Sequence, residues 1–475
     1  MAEQDAMMEE VTSAMGDMQM PEPGGMEGRP NNAQVSPSRR HLLTGNGSAS
    51  SPLRSIEAKP SRPLDAVIAA GPAAPPIEFP SPKFERGRRD HVLVYVEHTR
   101  THQVAKNVLF RDYSREYGET PEKALSRVKQ AYWPMPYKER INTIMGHVEI
   151  CVVLTRCAMD CSDEDGTSDH SPSDDSSSGE EDDVVFQVTD RHVAVKVNYS
   201  RRMERYRGRH AENPLQEIAA MQLIGNEHPH VMGVIEVLFD GSNLNVVMPY
   251  AGSGDLFQML QDSQERGTGF SEPEARYWFR QIMDGVKHLH NKGVCHRDLS
   301  PENVMIDSNN SLIIDMGMAI RVPYSDPQHP NRVVDITKGT AKRMIAPQGT
   351  CGKLPYMSPE IYRNRTPFDG GAVDVWTCGT ILFCMVTGNR SYSRPHDSDA
   401  QYYWMTHGLS RLLHDWNIEL TSECVHLLKN MLQVDPRLRL TLDEVIHHPW
   451  FHHHDAPPAH TISPPPPRRP VSGKK

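Results

Sequence analysis

The sequence predicts an α+β fold of two unequal lobes, and three features of the chain indicate it. Strand patterns dominate from Ile141 to Tyr250, with one short helix among them. Helical patterns dominate beyond Gly254, and Pro- and Gly-rich ends flank the whole region. We therefore expect a small antiparallel β-sheet lobe with one helix, followed by a larger, mainly helical lobe. The cleft between two such lobes is where ligands tend to bind.

The two ends of the chain are predicted to be disordered tails. Residues 1–90 are rich in Met, Pro, Ser and Gly and show no sustained apolar period. Such a segment cannot bury enough apolar surface to offset the entropy lost on ordering. Residues 456–475 have the composition of an extended, Pro-rich tail.

Residues 91–140 are predicted to form an N-terminal extension, a strand plus a helix, that packs on the small lobe. Residues 91–98 alternate between apolar and polar side chains as a strand does. Thr120 fits a helix N-cap, and Pro121 fits the first helical position. The apolar face of this expected helix comprises Leu125, Val128 and Tyr132.

The main domain is predicted over residues 141–455. Its small lobe begins with the strand patterns "HVEICVVLTRC" and "VVFQVTDRHVAVKVNY", then a short helix in "NPLQEIAAMQLI". Two further strands follow in "VMGVIEVLFDGSNLNVVMPY", joined by a turn. In the large lobe, Ser271 and Glu274 have the spacing of a capping box at the start of an amphipathic helix.

The net charge of −10 has a local source. Residues 160–183 contain eleven Asp or Glu and no Lys or Arg, which leaves the rest of the chain at +1. We find no basic patch and expect no nucleic-acid partner. The acidic insert, residues 157–183, is either a solvated disordered loop or a phosphorylated docking segment. Ser171, which precedes a proline, is a candidate in the second case.

Cysteine usage and hydropathy predict a protein of a reducing compartment. The eight cysteines show no disulfide-like or paired spacing, and Cys157 and Cys161 have no second ligand pair nearby for zinc. We find no apolar leader and no 18-residue apolar run, and so expect no membrane association. The expected protein is a cytoplasmic or nuclear monomer.

Five residues have the chemistry of phosphoryl transfer. Asp298 and Asn303 lie five residues apart in a predicted loop, and Asp315 ends the strand pattern that follows. A carboxylate can orient a hydroxyl nucleophile and accept its proton, while Asn303 and Asp315 offer oxygen ligands to Mg²⁺. Upstream, Lys196 can hold phosphate as a point charge, and Glu217 on the following helix can pair with it.

These residues lie in motifs that together resemble the eukaryotic protein kinase superfamily, over roughly residues 141–455. The motifs occur in the family's order: "VAVK", "HRDLSPEN", "DMG", "YMSPE", "DVWTCG" and "DPRLRLTLDEVIHHPW". The "PEN" sequence is similar to the serine/threonine branch, and "GDLF" and "HHPWF" look most like the calcium/calmodulin-dependent and AMP-activated group. The resemblance implies a bilobal kinase fold, ATP and Mg²⁺ as cofactors, and protein substrates.

The resemblance also implies roles for single residues. Met248 would be the gatekeeper, and Pro249, Tyr250 and Ala251 would form the hinge that meets adenine. Ala194 and Met305 would lie on either side of the base. Glu360 and Arg439 would form a buried ion pair. The regulatory spine would include Met221, Met316 and His296.

The chain departs from the family pattern before Lys196, where no GxGxxG occurs. Gly146 is the only glycine available, and we place it at the tip of a shortened hairpin over the nucleotide. The acidic insert then lies between the second strand of that hairpin and the strand of Lys196, because carboxylates beside a triphosphate would repel it. This weak glycine loop leaves two hypotheses, an active serine/threonine kinase and a pseudokinase scaffold.

A second departure concerns Ser300, where kinases usually have a lysine that contacts the γ-phosphate. In those kinases the lysine also forms a hydrogen bond with a threonine that precedes the motif similar to "YMSPE". In this chain Lys353, in "GKLPY", occupies the position of that threonine. We therefore predict an exchange in which Lys353 reaches Ser300 and supplies the charge. The alternative is that the catalytic-loop lysine has simply been lost at Ser300 and that Lys353 points to solvent.

Two further predictions concern regulation and substrates. The activation segment, Asp315–Glu360, offers Thr337, Thr340 and Thr350 for phosphorylation, and Arg297 would bind the phosphate; Thr350 is preferred. Asp255 and Glu302 would receive an arginine of the substrate, as in basophilic relatives. The alternative for the threonines is an unmodified loop. The alternatives for the two acids are that Asp255 caps its helix and that Glu302 has a structural role.

Overall fold

The computed structural model describes residues 72–97, 99–157, 184–208 and 213–453. Most of the predicted N-terminal tail, the acidic residues 158–183 with Ser171, and the predicted C-terminal tail lie outside the described residues. The described chain forms a small lobe rich in strands, followed by a larger lobe rich in helices.

The strands of the described residues fall into one large sheet and three small ones. In chain order they are β1 Glu85–Val96, β2 Thr101–Arg111, β3 Gln130–Pro134, β4 Ile141–Asn142, β5 Gly146–Arg156, β6 Val185–Tyr199, β7 Glu236–Phe239, β8 Asn243–Pro249, β9 Val294–Cys295, β10 Val304–Asp307, β11 Asn310–Ile313, β12 Ile320–Arg321, β13 Tyr324–Ser325, β14 Val333–Val334 and β15 Ala341–Lys342.

The helices belong mainly to the large lobe, after β8. In chain order they are α1 Ser114–Tyr117, α2 Pro121–Leu125, α3 Ser200–Tyr206, α4 Pro214–Ile224, α5 Leu256–Glu265, α6 Glu272–Asn291, α7 Pro359–Arg363, α8 Gly370–Thr387, α9 Ala400–His407, α10 Leu409–Asp415, α11 Ser422–Met431 and α12 Leu442–Ile446. The small lobe thus has two helices, α3 and α4, besides those of the extension, where one was expected.

The sheet of the small lobe closes into a barrel. Its strand order is β3-β2-β1-β7-β8-β6-β5-β4, and β3 also pairs with β5. Seven strands therefore form a ring, and β4 extends β5 outside it. The small-lobe strands β4 to β8 pair with one another antiparallel, as expected. The extension adds parallel pairs, because β1 runs parallel to both β6 and β7. Closure gives the three strands of the extension neighbours on both sides, so the ring leaves no open edge.

The N-terminal extension differs from its prediction for a physical reason. The helix that begins after Thr120 ends at Leu125, and Tyr132 lies in β3, opposite Leu109 and Val153. Tyr132 is fully buried in the barrel with valines of β5 and β6. Burial of this ring and ladder hydrogen bonds on both sides outweigh the local helical spacing.

The expected disorder of residues 72–90 is also wrong. Residues 85–90 belong to β1, and the preceding residues make backbone hydrogen bonds to the activation segment. The composition of this stretch hides its order, because its partners are distant in sequence.

The large lobe is built around α8. Of the residues of this helix, 94% are buried, and the helix packs against α6 and α11. By length and composition α8 could span a membrane, so the expectation of no 18-residue apolar run is wrong. Its burial in the lobe is what the core helix of a globular domain shows.

Candidate active site

Lys196 and Glu217 meet at the boundary between the barrel and α4. Lys196 lies in β6, and its Nζ is 2.7 Å from both carboxylate oxygens of Glu217. Glu217 lies in the first turn of α4, which begins after the N-cap Asn213. The pair holds the ammonium at a fixed place on the outer face of the barrel, beside α4, where a point charge can bind phosphate.

The residues predicted around the adenine lie on neighbouring elements. Ala194 of β6 is paired with Met248 of β8, and both are half-buried. Tyr250 and Ala251 follow β8, and Met305 of β10 forms a bridge with Asp255. The chain thus passes from β8, where Met248 lies beside Ala194, to Asp255, which lies beside Met305 of β10.

Two residues of this region were missed in the sequence. Val148 and Ile150 of β5 lie opposite Lys196 and Ala194 in the ladder, with half-buried side chains. Strand alternation puts them on the same face as those partners, away from the barrel interior. The alternation in "HVEICVVL" was the signal that could have found them.

The loop that carries Asp298 is fixed from beneath by α8. The carboxylate of Asp374 accepts hydrogen bonds from the backbone N–H groups of His296 and Arg297, at 3.0 and 2.9 Å. Arg297 has φ 63°, in the left-handed region. Such a conformation persists only where the surroundings enforce it, and it is common at functional sites. Asp374 lies in the motif "DVWTCG", which the resemblance identified, and this motif supports the loop through the two hydrogen bonds.

Asp298 is held by residues on both sides of it. The backbone N–H of Lys353 donates to its Oδ1 at 3.1 Å, and the Asn303 amide donates to its carbonyl at 2.8 Å. Burial raises the pKa of Asp298 above its ordinary value. His296 and Lys353 act to lower this pKa, and Asp315 acts to raise it. The carboxylate is thus a stronger base than an exposed aspartate.

Asn303 and Asp315 present oxygen atoms that fit Mg²⁺. Hydrogen bonding fixes the Asn303 amide nitrogen on Asp298, so its Oδ1 faces the other way. Asp315 has φ 67°, and its Oδ1 accepts from Gly317 N at 3.1 Å. Within the described chain, no hydrogen bond or ion pair reaches its other carboxylate oxygen. Amide and carboxylate oxygens of this kind are the donors that Mg²⁺ takes.

Lys353 lies against the catalytic loop. Its Nζ is 2.6 Å from Ser300 Oγ, 3.5 Å from Asn303 Oδ1 and 3.5 Å from Glu302 Oε2. Ser300 is fully buried, while the Lys353 side chain is 37% exposed. The ammonium therefore lies beside the oxygen expected to bind the metal, at the open side of the loop.

Gly146 does not lie at the tip of the hairpin, where it was expected. The turn between β4 and β5 comprises residues 143–145, and Gly146 is the first residue of β5. Its N–H donates to Thr143 Oγ1 at 3.0 Å. A Cβ at this position would lie 1.7 Å from the carbonyl oxygen of Val197, so close strand approach alone requires glycine here. The insert does lie between β5 and β6.

The predicted regulatory residues do not meet in this structure. Arg297 donates from Nε to the carbonyl of Met318 at 2.9 Å. Thr337 and Thr340 are hydrogen-bonded to each other, with Thr340 Oγ1 donating to Thr337 O at 2.8 Å. Among the described contacts, none joins Arg297 to a predicted threonine. Thr350 lies two residues before Gly352, which packs on Arg297, and its phosphorylation stays a prediction.

The predicted substrate carboxylates both have partners. Asp255 caps α5, and its Oδ1 accepts from Gln258 N at 2.8 Å. Glu302 pairs with Lys353. These contacts support the alternative left open for Asp255, and binding of a substrate arginine stays a prediction.

The structural residues implied by the resemblance are buried. Arg439 Nη1 and Nη2 are 2.7 and 3.1 Å from the two carboxylate oxygens of Glu360. The predicted spine residues Met221, Met316 and His296 are all buried.

Comparisons with known proteins identify the class of domain. A family model described as "Protein kinase domain" matches residues 177–451, more than half of the chain. The chain therefore belongs to the protein kinase domain family, whose members use ATP and Mg²⁺.

The similar curated proteins are named as protein kinases. The chain is 35% identical over 207 residues to serine/threonine-protein kinase chk1 of Schizosaccharomyces pombe. This alignment covers 43% of the chain and 37% of that protein. It is 31% identical over 227 residues to an abscisic acid-inducible protein kinase of Triticum aestivum, covering 47% and 62%. The alignments thus span less than two thirds of these relatives.

Proposed function

We propose that this chain is an active serine/threonine protein kinase that transfers the γ-phosphate of ATP to hydroxyl groups of proteins. One observation carries the proposal: a lysine ammonium, 2.6 Å from Ser300, lies at the catalytic loop of a site that otherwise lacks its usual cation. A scaffold has no physical need for a replacement charge at this position. The charge is useful where negative charge develops during phosphoryl transfer.

Asp298 receives the proton of the substrate hydroxyl. Burial raises the pKa of this carboxyl, which makes it a better proton acceptor, and the Lys353 N–H and the Asn303 amide keep it oriented. The residue that orients the nucleophile is therefore coupled to the activation segment through the backbone of Lys353.

Lys196 binds the phosphates nearer the nucleoside, and Glu217 keeps its ammonium in place. Mg²⁺ held by Asn303 and Asp315 supplies neutralisation of phosphate charge when it is bound. Val148, Ile150, Ala194 and Met305 offer apolar surface for the base.

Lys353 stands in for the usual lysine of the catalytic loop. Its charge lies on the activation segment, so displacement of that segment would remove the charge from Ser300. Phosphoryl transfer thus depends on the order of the activation segment as well as on the catalytic loop.

A pseudokinase scaffold is the second candidate, and the hairpin before Lys196 favours it. The turn of residues 143–145 contains no glycine, and Gly146 is packed against Val197. Backbone N–H groups therefore have less freedom to approach a triphosphate than in a glycine-rich loop.

Two substitutions test the proposed site. Lys196→Met and Asp315→Asn should each abolish phosphate transfer to a serine/threonine peptide, while the melting temperature of the full chain stays near that of wild type. Both residues act on phosphate and metal and contribute little to the core. Near-wild-type turnover in either folded variant would contradict the assignment.

A further inference from the structure

A proline-rich segment before β1 lies against both the activation segment and α4. We call this segment, Pro72–Phe84, the N-terminal strap. The N–H of Ala74 donates to Met344 O at 3.0 Å, and the carbonyl of Ala74 accepts from Ala346 N at 2.9 Å. The N–H of Ile77 donates to Arg321 O at 3.1 Å. The strap therefore contacts the activation segment at two places that are far apart in sequence.

The other end of the strap is bound to the helix that carries Glu217. The side-chain amide of Gln222 accepts from Lys83 N at 2.8 Å and donates to Lys83 O at 2.5 Å. Gln222 lies in α4, five residues after Glu217. Phe84 is 4% exposed and packs in a cluster with Ile218 of the same helix. Movement of α4 away from β6 would break these contacts.

Two buried arginines of the activation segment use the strap as a hydrogen-bond acceptor. Arg321 is 7% exposed and donates to Glu78 O at 2.6 Å; Arg343 is 3% exposed and donates to Pro72 O. A buried guanidinium is unfavourable unless acceptors satisfy it. Without the strap, this conformation of the activation segment would therefore lose stability.

The composition of the strap suits this role. Its thirteen residues include five prolines, and almost all its polar contacts use main-chain atoms. Proline restricts the free chain, so less entropy is lost when the strap becomes extended on the domain. Gln216 adds a direct link between α4 and the activation segment, because its Nε2 donates to Ala319 O at 2.9 Å.

We propose that the N-terminal strap is a positioning element of the phosphoryl-transfer site, with Gln222 as its positioning residue on α4. The strap holds α4 so that Glu217 stays paired with Lys196, and it holds the activation segment so that Lys353 stays at Ser300. This role rests on the proposed function. It makes full activity depend on a segment outside residues 177–451, the part of the chain that matches the kinase family.

The test uses the full chain with the double substitution Ala74→Pro/Ile77→Pro, which removes two N–H donors. Ser81→Pro is the matched control, since Ser81 is exposed in the strap and its N–H makes no hydrogen bond to the described residues. Gln222→Met is a second variant that leaves the strap sequence intact. Amide hydrogen exchange is measured without nucleotide, and kcat and KM are measured with a peptide substrate.

The proposal predicts that amide hydrogen exchange in residues 341–346 and in α4 becomes about tenfold faster in both variants, and that kcat becomes about tenfold lower. The control Ser81→Pro should show neither change. A synthetic peptide of residues 72–84 added in trans should restore both in the double variant, and the same peptide with the two prolines should not. Unchanged exchange in both variants would overturn the proposal. If the wild-type chain transfers no phosphate, only the proposed function is overturned, because the hydrogen-exchange measurement still tests whether the strap holds α4 and the activation segment.

Discussion

Replacement of Lys353 by threonine should lower kcat by about ten- to a thousand-fold while the domain stays folded. The ammonium lies 2.6 Å from Ser300 Oγ and 3.5 Å from Asn303 Oδ1, the oxygen proposed to hold Mg²⁺ at the transferring phosphoryl group. Loss of one preorganised donor to a developing charge costs about 10²- to 10³-fold in kcat. The lower limit is tenfold because the side chain is 37% exposed, and solvent screens part of its charge.

The double substitution Ser300→Lys/Lys353→Thr tests whether the two positions act together. It returns the ammonium to the catalytic loop and the hydroxyl to the activation segment, so it should recover much of the lost kcat. Neither substitution removes the backbone N–H at position 353, which donates to Asp298, so the comparison isolates the side chains. Lys338→Thr, at an exposed lysine of the activation segment, is the control and should leave kcat unchanged.

The assay is steady-state phosphate transfer to a peptide at saturating ATP, with melting temperatures recorded for every variant. Coupling is read from the double-mutant cycle as the departure from additivity. Additive losses without recovery in the double variant would refute the exchange of the two side chains. So would a Lys353→Thr variant with wild-type kcat.

The remaining predictions concern proton transfer and the core. The acid limb of kcat should lie above the ordinary pKa of an aspartate, because burial raises the pKa of Asp298, which must be deprotonated to act. Lys353→Thr should move that limb to higher pH, since Lys353 lowers this pKa; a limb that stays in place would contradict the assignment of Asp298 as base. Arg439→Met should lower the free energy of unfolding by about 3–5 kcal/mol in urea denaturation, because Glu360 would be left buried without its partner. The double substitution Glu360→Met/Arg439→Met should lower the free energy of unfolding by less than Arg439→Met alone. An equal decrease would argue against the broken ion pair as the cause.

The residues of the candidate active site could be identified in the sequence because they lie in short local motifs. Asp298, Ser300 and Asn303 share one loop, and the position of Lys353 follows from the motif around it. The structure gives the contact between Lys353 and Ser300 directly, although their roles in turnover stay predictions.

The barrel could not be predicted because its closure depends on pairing between distant strands. Tyr132 has helical spacing from Leu125, but its place is fixed by Leu109 and Val153, on strands before and after it. The strap was missed for the same reason. Nothing near Ala74 in sequence reveals that Met344 and Ala346 are its partners.

The kinase assignment is tested most directly by phosphate incorporation from ATP labelled at the γ-phosphate, with wild type and Asp298→Asn compared at equal bound nucleotide. Asn keeps the shape of the side chain but cannot accept the proton of the substrate hydroxyl. The proposed function predicts Mg²⁺-dependent transfer to serine and threonine by wild type and a loss of at least about a hundredfold in the variant. Equal, background-level incorporation by both proteins would contradict it and identify the chain as a pseudokinase.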